Sequence, residues 1–242
     1  MKPIILYDLC AKDTSVRFSP YVWRTKLALE HKQIPYETVS SGFTDKPRLI
    51  ALSKQDLVPV IVDPNNSDKV VSDSWKIAEY LESQYPDKPS LFGGDAGTNG
   101  VLFIQKWWQY NGIRPIGTYV IVDVWKCISD KDAAFFRAGR EKLLKKTLED
   151  VEKGRENRVK AWRPTLRPLK DLLREQSFIG GKTPNYSDYI VFAAFQWARC
   201  VSDFQLLEKD TKDPIYNWRE RMLDLYGGLA RKAPTVTPSA HL

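Results

Sequence analysis

The sequence predicts a small mixed α/β domain followed by an all-helical one. Three observations carry that expectation: apolar residues alternate between strand and helix spacing up to about residue 90, a stretch rich in Pro and Gly interrupts the chain at 86–98, and only helical periods recur beyond it. Ile4-Ile5-Leu6-Tyr7 is a short strand. Ser19 opens a helix to about residue 31, because Ser satisfies an orphan amide and Pro20 at the first helical position forfeits none. Its apolar residues include Val22, Trp23, Leu27 and Ala28. Residues 36–39 form a second strand, and a loop with Gly42 and Pro47 follows. Pro59-Val60-Ile61-Val62 is a third strand, 64–68 a strong turn, and Lys69-Val70-Val71 a fourth strand antiparallel to the third. A helix from Asp73 or Ser74 ends near Tyr85-Pro86, which completes a βαβ unit followed by a ββα unit.

The second half reads as helix throughout. Residues 101–112 carry Leu102, Phe103, Trp107, Trp108 and Tyr110, and 133–158 form one basic amphipathic helix through Leu143, Leu144, Leu148 and Val151. Another helix spans 165–176, and the most apolar one covers 189–200. Asn185-Tyr186-Ser187-Asp188 opens it as a capping-box variant, which assigns Asn185 and Asp188 to folding and not to chemistry. The tail at 234–242 is expected to fray. The division is a domain at 1–88, a linker at 89–98 and a helical domain at 99–242.

Composition narrows the function. With 43% hydrophobic residues, a chain of 242 can bury a substantial core. It offers no run of about 20 apolar residues to cross a bilayer and no signal-peptide pattern, so a cytosolic protein with no membrane role is expected. Cys10, Cys127 and Cys200 are far apart and lack CxxC spacing, so neither a disulfide framework nor a metal site is indicated. Cys10 lies near Ser19 in the chain, yet a packing role fits it better than a nucleophilic one. The formal charge of +7 comes from basic residues that alternate with acidic ones along helices, and no basic block interleaved with aromatics reads nucleic acid. Such a charge suits steering a small anion to a cleft.

Three short pieces, Ser19-Pro20-Tyr21, Val58-Pro59 and Asp73-Ser74, carry the functional reading. Taken singly, the first and last are helix starts and the second is a proline opening an edge strand. Their order, the short linker and the Asn-x-x-Asp box together resemble a cytosolic glutathione transferase over nearly the whole chain. The stretches Phe18-Ser19-Pro20-Tyr21-Val22-Trp23-Arg24-Thr25-Lys26 and Asp73-Ser74-Trp75-Lys76-Ile77-Ala78-Glu79-Tyr80-Leu81 are similar to the bacterial β-etherase type and its fungal relatives. Thr147-Leu148-Glu149-Asp150-Val151 with Gly154-Arg155, and Gly180-Gly181 with Pro184-Asn185-Tyr186-Ser187-Asp188-Tyr189, add to the likeness.

The resemblance implies a thioredoxin-like N-terminal domain with a cis Val58-Pro59 bond, a C-terminal helical bundle, glutathione as cosubstrate and a homodimer. It implies that Val58 pairs through its backbone with the cysteinyl part, as an added strand does. Asp73 and Ser74 take the γ-glutamyl end at a helix N-terminus, and Lys46 approaches the glycine carboxylate. Ser19 donates to the thiolate. Tyr7, at the end of the first strand, is its rival, since other branches use a Tyr there. A serine hydrolase is disfavoured, because His31 at a helix end and His241 in the tail are the only histidine bases. Tyr21, Trp23, Trp107 and Tyr110 are the first candidates for an aromatic wall, with Trp108, Tyr119 and Trp125 behind them, although at least half of this set belongs in a core. The resulting activity is attack of glutathione on hydrophobic electrophiles, by conjugation or by aryl ether or thioester cleavage; the alternative is a ligandin-type protein that holds phenolic compounds with little turnover.

Overall fold

The computed structural model describes residues 1–236, so His241 and the end of the tail lie outside the described residues. A four-stranded sheet of order β2-β1-β3-β4 forms the N-terminal half. Its strands are β1 (Ile4–Leu9), β2 (Tyr36–Ser41), β3 (Val60–Asp63) and β4 (Lys69–Ser72). β1 runs parallel to β2 through the crossover helix α1 (Pro20–His31) and antiparallel to β3, which pairs antiparallel with β4. Helix α3 (Ser74–Gln84) follows β4 and packs against α1. This is the βαβ–ββα order read from the sequence.

One element was not foreseen. The loop expected after β2 contains α2 (Lys46–Ser53), which starts at Asp45 without a side-chain cap and stops at Lys54 in the left-handed region. With Pro47 in its first turn and no capping bond, it carries few local signals.

The C-terminal half is helical. α4 (Asp95–Trp108) begins inside the stretch expected as linker and passes into a π-helical turn, Gln109–Ile113. α5 (Arg114–Tyr119) and α6 (Ile121–Cys127) follow, then α7 (Asp130–Leu144), α8 (Leu148–Glu152) and α9 (Arg155–Trp162). The single long helix expected at 133–158 is therefore three. Lys145 with φ of 54° ends α7, Thr147 caps α8, and Gly154 with φ of 71° separates α8 from α9. A 3₁₀ turn, Arg163–Leu166, leads into α10 (Arg167–Glu175), and α11 (Tyr186–Val201) and α12 (Pro214–Gly228) complete the domain. Val236 N–H still donates to Cys200 O at 2.9 Å, so the expected fraying does not begin at residue 234.

α11 is the spine, packed against α1, α4, α5, α6 and α12. Apart from Trp197 and Arg199 its residues are buried, which leaves its polar N-terminus to be satisfied internally. Asn185 and Asp188 do this as a capping box. The Asp188 carboxylate also accepts from Ile179 N–H at 2.8 Å, Gly180 N–H at 2.9 Å and the Trp218 indole at 2.8 Å. A Cβ on Gly180 would meet Asn185 at 2.7 Å, so only glycine lets that loop close.

His31 joins the two halves. Its Nε2 lies 3.1 Å from Ser90 O, which can only accept, so Nε2 carries the hydrogen and Nδ1 accepts from the Tyr189 hydroxyl at 2.7 Å. Buried Lys32 donates to Tyr85 O and Pro89 O and pairs with Glu82 at 3.1 Å, fixing the chain between the domains.

Two outcomes follow for stability. Asp188→Ala strands four N–H donors and lowers unfolding free energy by on the order of 4 kcal/mol, read by denaturant titration. Burial, ahead of its other neighbours, holds the His31 pKa below its ordinary value near 6.5. The unfolded chain therefore takes up a proton first as pH falls through about 6.5, and stability drops by up to about 1.4 kcal/mol per pH unit until folded His31 also titrates. The stability difference between wild type and His31→Gln should shrink between pH 7 and pH 5; a constant difference counts against this linkage.

Candidate functional site

The loop after β1 folds back on its own strand. Cys10 bridges Arg17, and Phe18 N–H donates to Leu9 O at 3.3 Å, which places Ser19 just beyond the C-terminal end of β1. Ser19 is buried and caps α1, its Oγ accepting from Val22 N–H at 3.4 Å. A hydroxyl that accepts here keeps its own proton free to donate elsewhere.

Sheet register brings the other two pieces to the same end. Tyr7 faces Val60 and Val60 faces Ser72, so the residues just before β3 and just after β4 lie beside the end of β1. The Val58-Pro59 bond is cis. Asp73 N–H donates to Pro59 O at 3.2 Å, tying the two pieces together. Asp73 has φ of 77° and ψ of 130°, a region that favours glycine. It is held there by that bond and by its carboxylate, whose Oδ1 accepts from Trp75 N–H at 2.9 Å and Lys76 N–H at 3.1 Å. Ser74, the first residue of α3, is buried, and its carbonyl accepts the Tyr186 hydroxyl at 2.6 Å. The positive ends of α1 and α3 thus meet at the strand end, a setting for an anion.

The remaining candidates are less uniform. Lys46 heads α2, where its ammonium is paired with Asp56 and stands over the Phe135 ring. Tyr7 lies under the Arg48 guanidinium, 5.1 Å from the ring centre. Tyr21 donates to Gln109 Oε1 at 3.2 Å and so reaches the helical domain at its π-helical turn. Trp107 is half-buried against Trp108, and Tyr110 is exposed beneath Arg114. Trp23 is buried, its indole donates to Arg17 O at 2.9 Å, and it borders a groove with Tyr36 and Tyr226. Trp108 and Tyr119 are also core residues. Cys10 is buried, donates to Ser41 O at 3.5 Å, and burial raises its pKa, which suits packing.

Several residues near these pieces carry little local signal in the sequence. Phe43 and Phe136 continue a row of rings from Phe18, at 6.3 and 5.1 Å between centres, from beside Ser19 into α7. Asp132 accepts from Thr44 N–H at 2.8 Å across the same seam. Arg24 is buried in α1 without a hydrogen-bond partner for Nε or Nη2. Its spacing of three and four from Leu27 and Ala28 was the available signal, since it puts a charge on the apolar face. Among the described residues no cluster of His, Cys, Asp or Glu is placed to hold a metal ion.

Two family models match the chain: the glutathione S-transferase N-terminal domain over residues 18–84 and the glutathione S-transferase C-terminal domain over residues 101–220. The chain belongs to the glutathione S-transferase family. Glutathione is the cosubstrate of this family. The transferase is 39% identical to pyrimidodiazepine synthase of Drosophila melanogaster over 77 residues, a match that spans 31% of this chain and 32% of that enzyme. It is similar to the glutathione transferase GSTFuA3 from Phanerochaete chrysosporium, with 27% identity and a TM-score of 0.75 over 94% of this chain and 93% of that one. A glutathione complex of CsGST83044 from Ceriporiopsis subvermispora shares the fold, with 22% identity and a TM-score of 0.72 over 96% and 97% of the two chains.

The backbone at Asp73 gives a test within this transferase. Asp73→Ala loses the cap and keeps a Cβ at positive φ, a loss on the order of 2 kcal/mol, whereas Asp73→Gly loses the cap but relieves the strain and costs less than half as much. Thermal and denaturant unfolding of both variants measure this; an alanine no worse than glycine removes the argument from strain.

Proposed function

We propose that this glutathione transferase holds the tripeptide at the C-terminal end of β1 and turns its thiolate on hydrophobic, aromatic electrophiles. One observation carries the proposal: Ser19 Oγ accepts from Val22 N–H while capping α1, which leaves its proton to donate to a sulfur at the helix end. A free thiol has a pKa of about 8.5, so about 3% is thiolate at neutral pH. Hydroxyl donation and the positive end of α1 favour the anion over the thiol, and a shift of two units raises the thiolate fraction roughly twentyfold. Sulfur then forms a bond to the electrophilic carbon and the leaving group departs with its bonding pair. Ser19 keeps its proton and forms no covalent intermediate. Displacement and cleavage of an aryl ether or thioester form the same sulfur–carbon bond and expel different leaving groups, whereas addition to an activated double bond breaks its π bond and the adduct takes up a proton from solvent, which received the thiol's proton on ionisation.

In this reading Val58 presents its backbone to the cysteinyl part, and the amide end of α3 with the Ser74 hydroxyl takes the γ-glutamyl carboxylate. Asp73 accepts from the α-amino group. Lys46 serves the glycine carboxylate by leaving Asp56. Tyr21 and the half-buried Phe43, backed by the core rings of Phe18 and Phe136, support an aromatic electrophile beside the sulfur. Trp107 and Tyr110 stand further along α4 and its π-helical turn. The domain division at 1–88, 89–98 and 99–242 belongs to the same reading, with the electrophile between the two domains. So do a homodimer and a cytosolic setting, supported by exposed Leu57 and Phe103 and by three unpaired thiols. No helix of the described residues is long and apolar enough to cross a membrane.

Thiolate absorbance of the glutathione complex against pH, with turnover of a chloronitrobenzene, tests the reading. Ser19→Ala should raise the bound thiol's pKa and lower kcat/KM by roughly a hundredfold, while Tyr7→Phe leaves both near wild type. Unchanged turnover in Ser19→Ala overturns the assignment. Displacement of an apolar dye without turnover would favour ligand storage instead.

A further inference from the structure

Arg24 is the unusual charge in this protein. It lies one turn into α1 and is 2% exposed, yet Nε and Nη2 are shielded from solvent and meet no acceptor among the described residues. The neighbouring buried cation Lys26 is matched by Asp8 at 2.6 Å; Arg24 has only the face of Tyr21, 4.7 Å from its Cζ. Aromatic stacking offsets part of the desolvation of a guanidinium, but an unpaired buried charge still destabilises the fold. Such a group is stable in place when an anion arrives to pair with it.

The fold places the guanidinium near the start of α3. Helical side chains lean toward the helix N-terminus, which draws Arg24 back over Tyr21 toward the Ser19 end of α1. α1 packs on both α3 and α11 there. Burial works against the guanidinium's charge, and the side chains beside it are the phenols of Tyr186 and Tyr21 and the carboxylate of Asp73. Both phenols are engaged elsewhere, Tyr186 with Ser74 O and Tyr21 with Gln109, and Asp73 Oδ1 is occupied by the amides of α3. An unpaired cation and a carboxylate with one oxygen uncommitted therefore flank the start of α3. Within glutathione the γ-glutamyl end alone carries an ammonium and a carboxylate on one carbon.

We propose that Arg24 is a binding residue for the α-carboxylate of the γ-glutamyl group, pairing with it at the start of α3 while Asp73 takes the adjacent ammonium. This rests on the glutathione reading and adds to it the group that selects γ-glutamyl peptides over other cysteinyl thiols. Removing the guanidinium weakens this one contact and leaves the sulfur chemistry in place.

The test measures binding of three unreactive peptides by calorimetry: S-methylglutathione, its decarboxy analogue built on 4-aminobutyrate, and its glycinamide. Wild type should prefer S-methylglutathione to the decarboxy peptide by about thirtyfold, a ratio that falls to within about threefold in Arg24→Met and to an intermediate value in Arg24→Lys. Discrimination against the glycinamide should be the same in all three proteins. The unliganded Arg24→Met protein should melt no lower than wild type, since the side chain it loses is unpaired. A preserved ratio in both variants overturns the proposal, as does a loss directed at the glycinamide, or equal loss for every peptide with a lower melting temperature. A wild-type protein that binds none of the peptides overturns the glutathione reading and this role with it. Should Arg24→Met not fold, the Arg24 Nε–H resonance of the wild-type protein decides: it moves with S-methylglutathione and stays still with the decarboxy peptide, and equal movement with both overturns the assignment.

Discussion

The α11 helix is buried along nearly its whole length, and that burial obliges its polar start to find each of its hydrogen-bond partners inside the protein. The Asp188 carboxylate answers the requirement by gathering Ile179, Gly180, Asn185 and the Trp218 indole around one turn. Once that turn is fixed, Tyr186 and Tyr189 project from it toward the other domain. Tyr186 reaches Ser74 O and Tyr189 reaches His31, so the start of α3 and the end of α1 are both referred to one helix of the second domain. The start of α3 and the end of α1 are thus held from behind, by packing within the second domain.

The candidate site is made largely of main chain. Ser19, the Val58-Pro59 bond and Asp73-Ser74 converge because sheet register puts the end of β1 beside the start of β3 and the end of β4. Two helices then point their amide ends into that space, which is why an anionic sulfur and a carboxylate suit the same small region. The capping side chains of Ser19 and Asp73 each satisfy amides of their helix and retain a further valence, a hydroxyl proton in one and a carboxylate oxygen in the other.

Those caps were legible in the sequence because capping is local. Ser19 before Pro20, Asp73 before Ser74, and Asn185 with Asp188 all act within three or four residues, and the strands between them follow from alternation and turn chemistry. What escaped depends on distant partners. α2 has no side-chain cap to announce it, and the breaks at Lys145 and Gly154 sit inside a run whose charge pattern continues across them. Trp23 carries the same residue type as a ligand wall, but which side of α1 it faces is set by β2 and the C-terminal segment. Arg24 and Gln109 acquire meaning only when α1 is laid against α3, α11 and the π-helical turn.

That π-helical turn carries a consequence for how this cleft changes over time. Gln109–Ile113 is a helix holding one residue more than its pitch needs, and Gly112 is pressed so close to the Trp108 ring that a Cβ there would meet it at 2.1 Å. The surplus residue sets the rotation of everything leading into α5, including the bond from Gln109 to Tyr21. A single-residue deletion would turn the downstream helix by about 100° and present other side chains to its neighbours, with Ser19, Val58 and Ser74 left as they are. The surplus residue thus fixes the register of this part of the helical domain against Tyr21 in discrete steps.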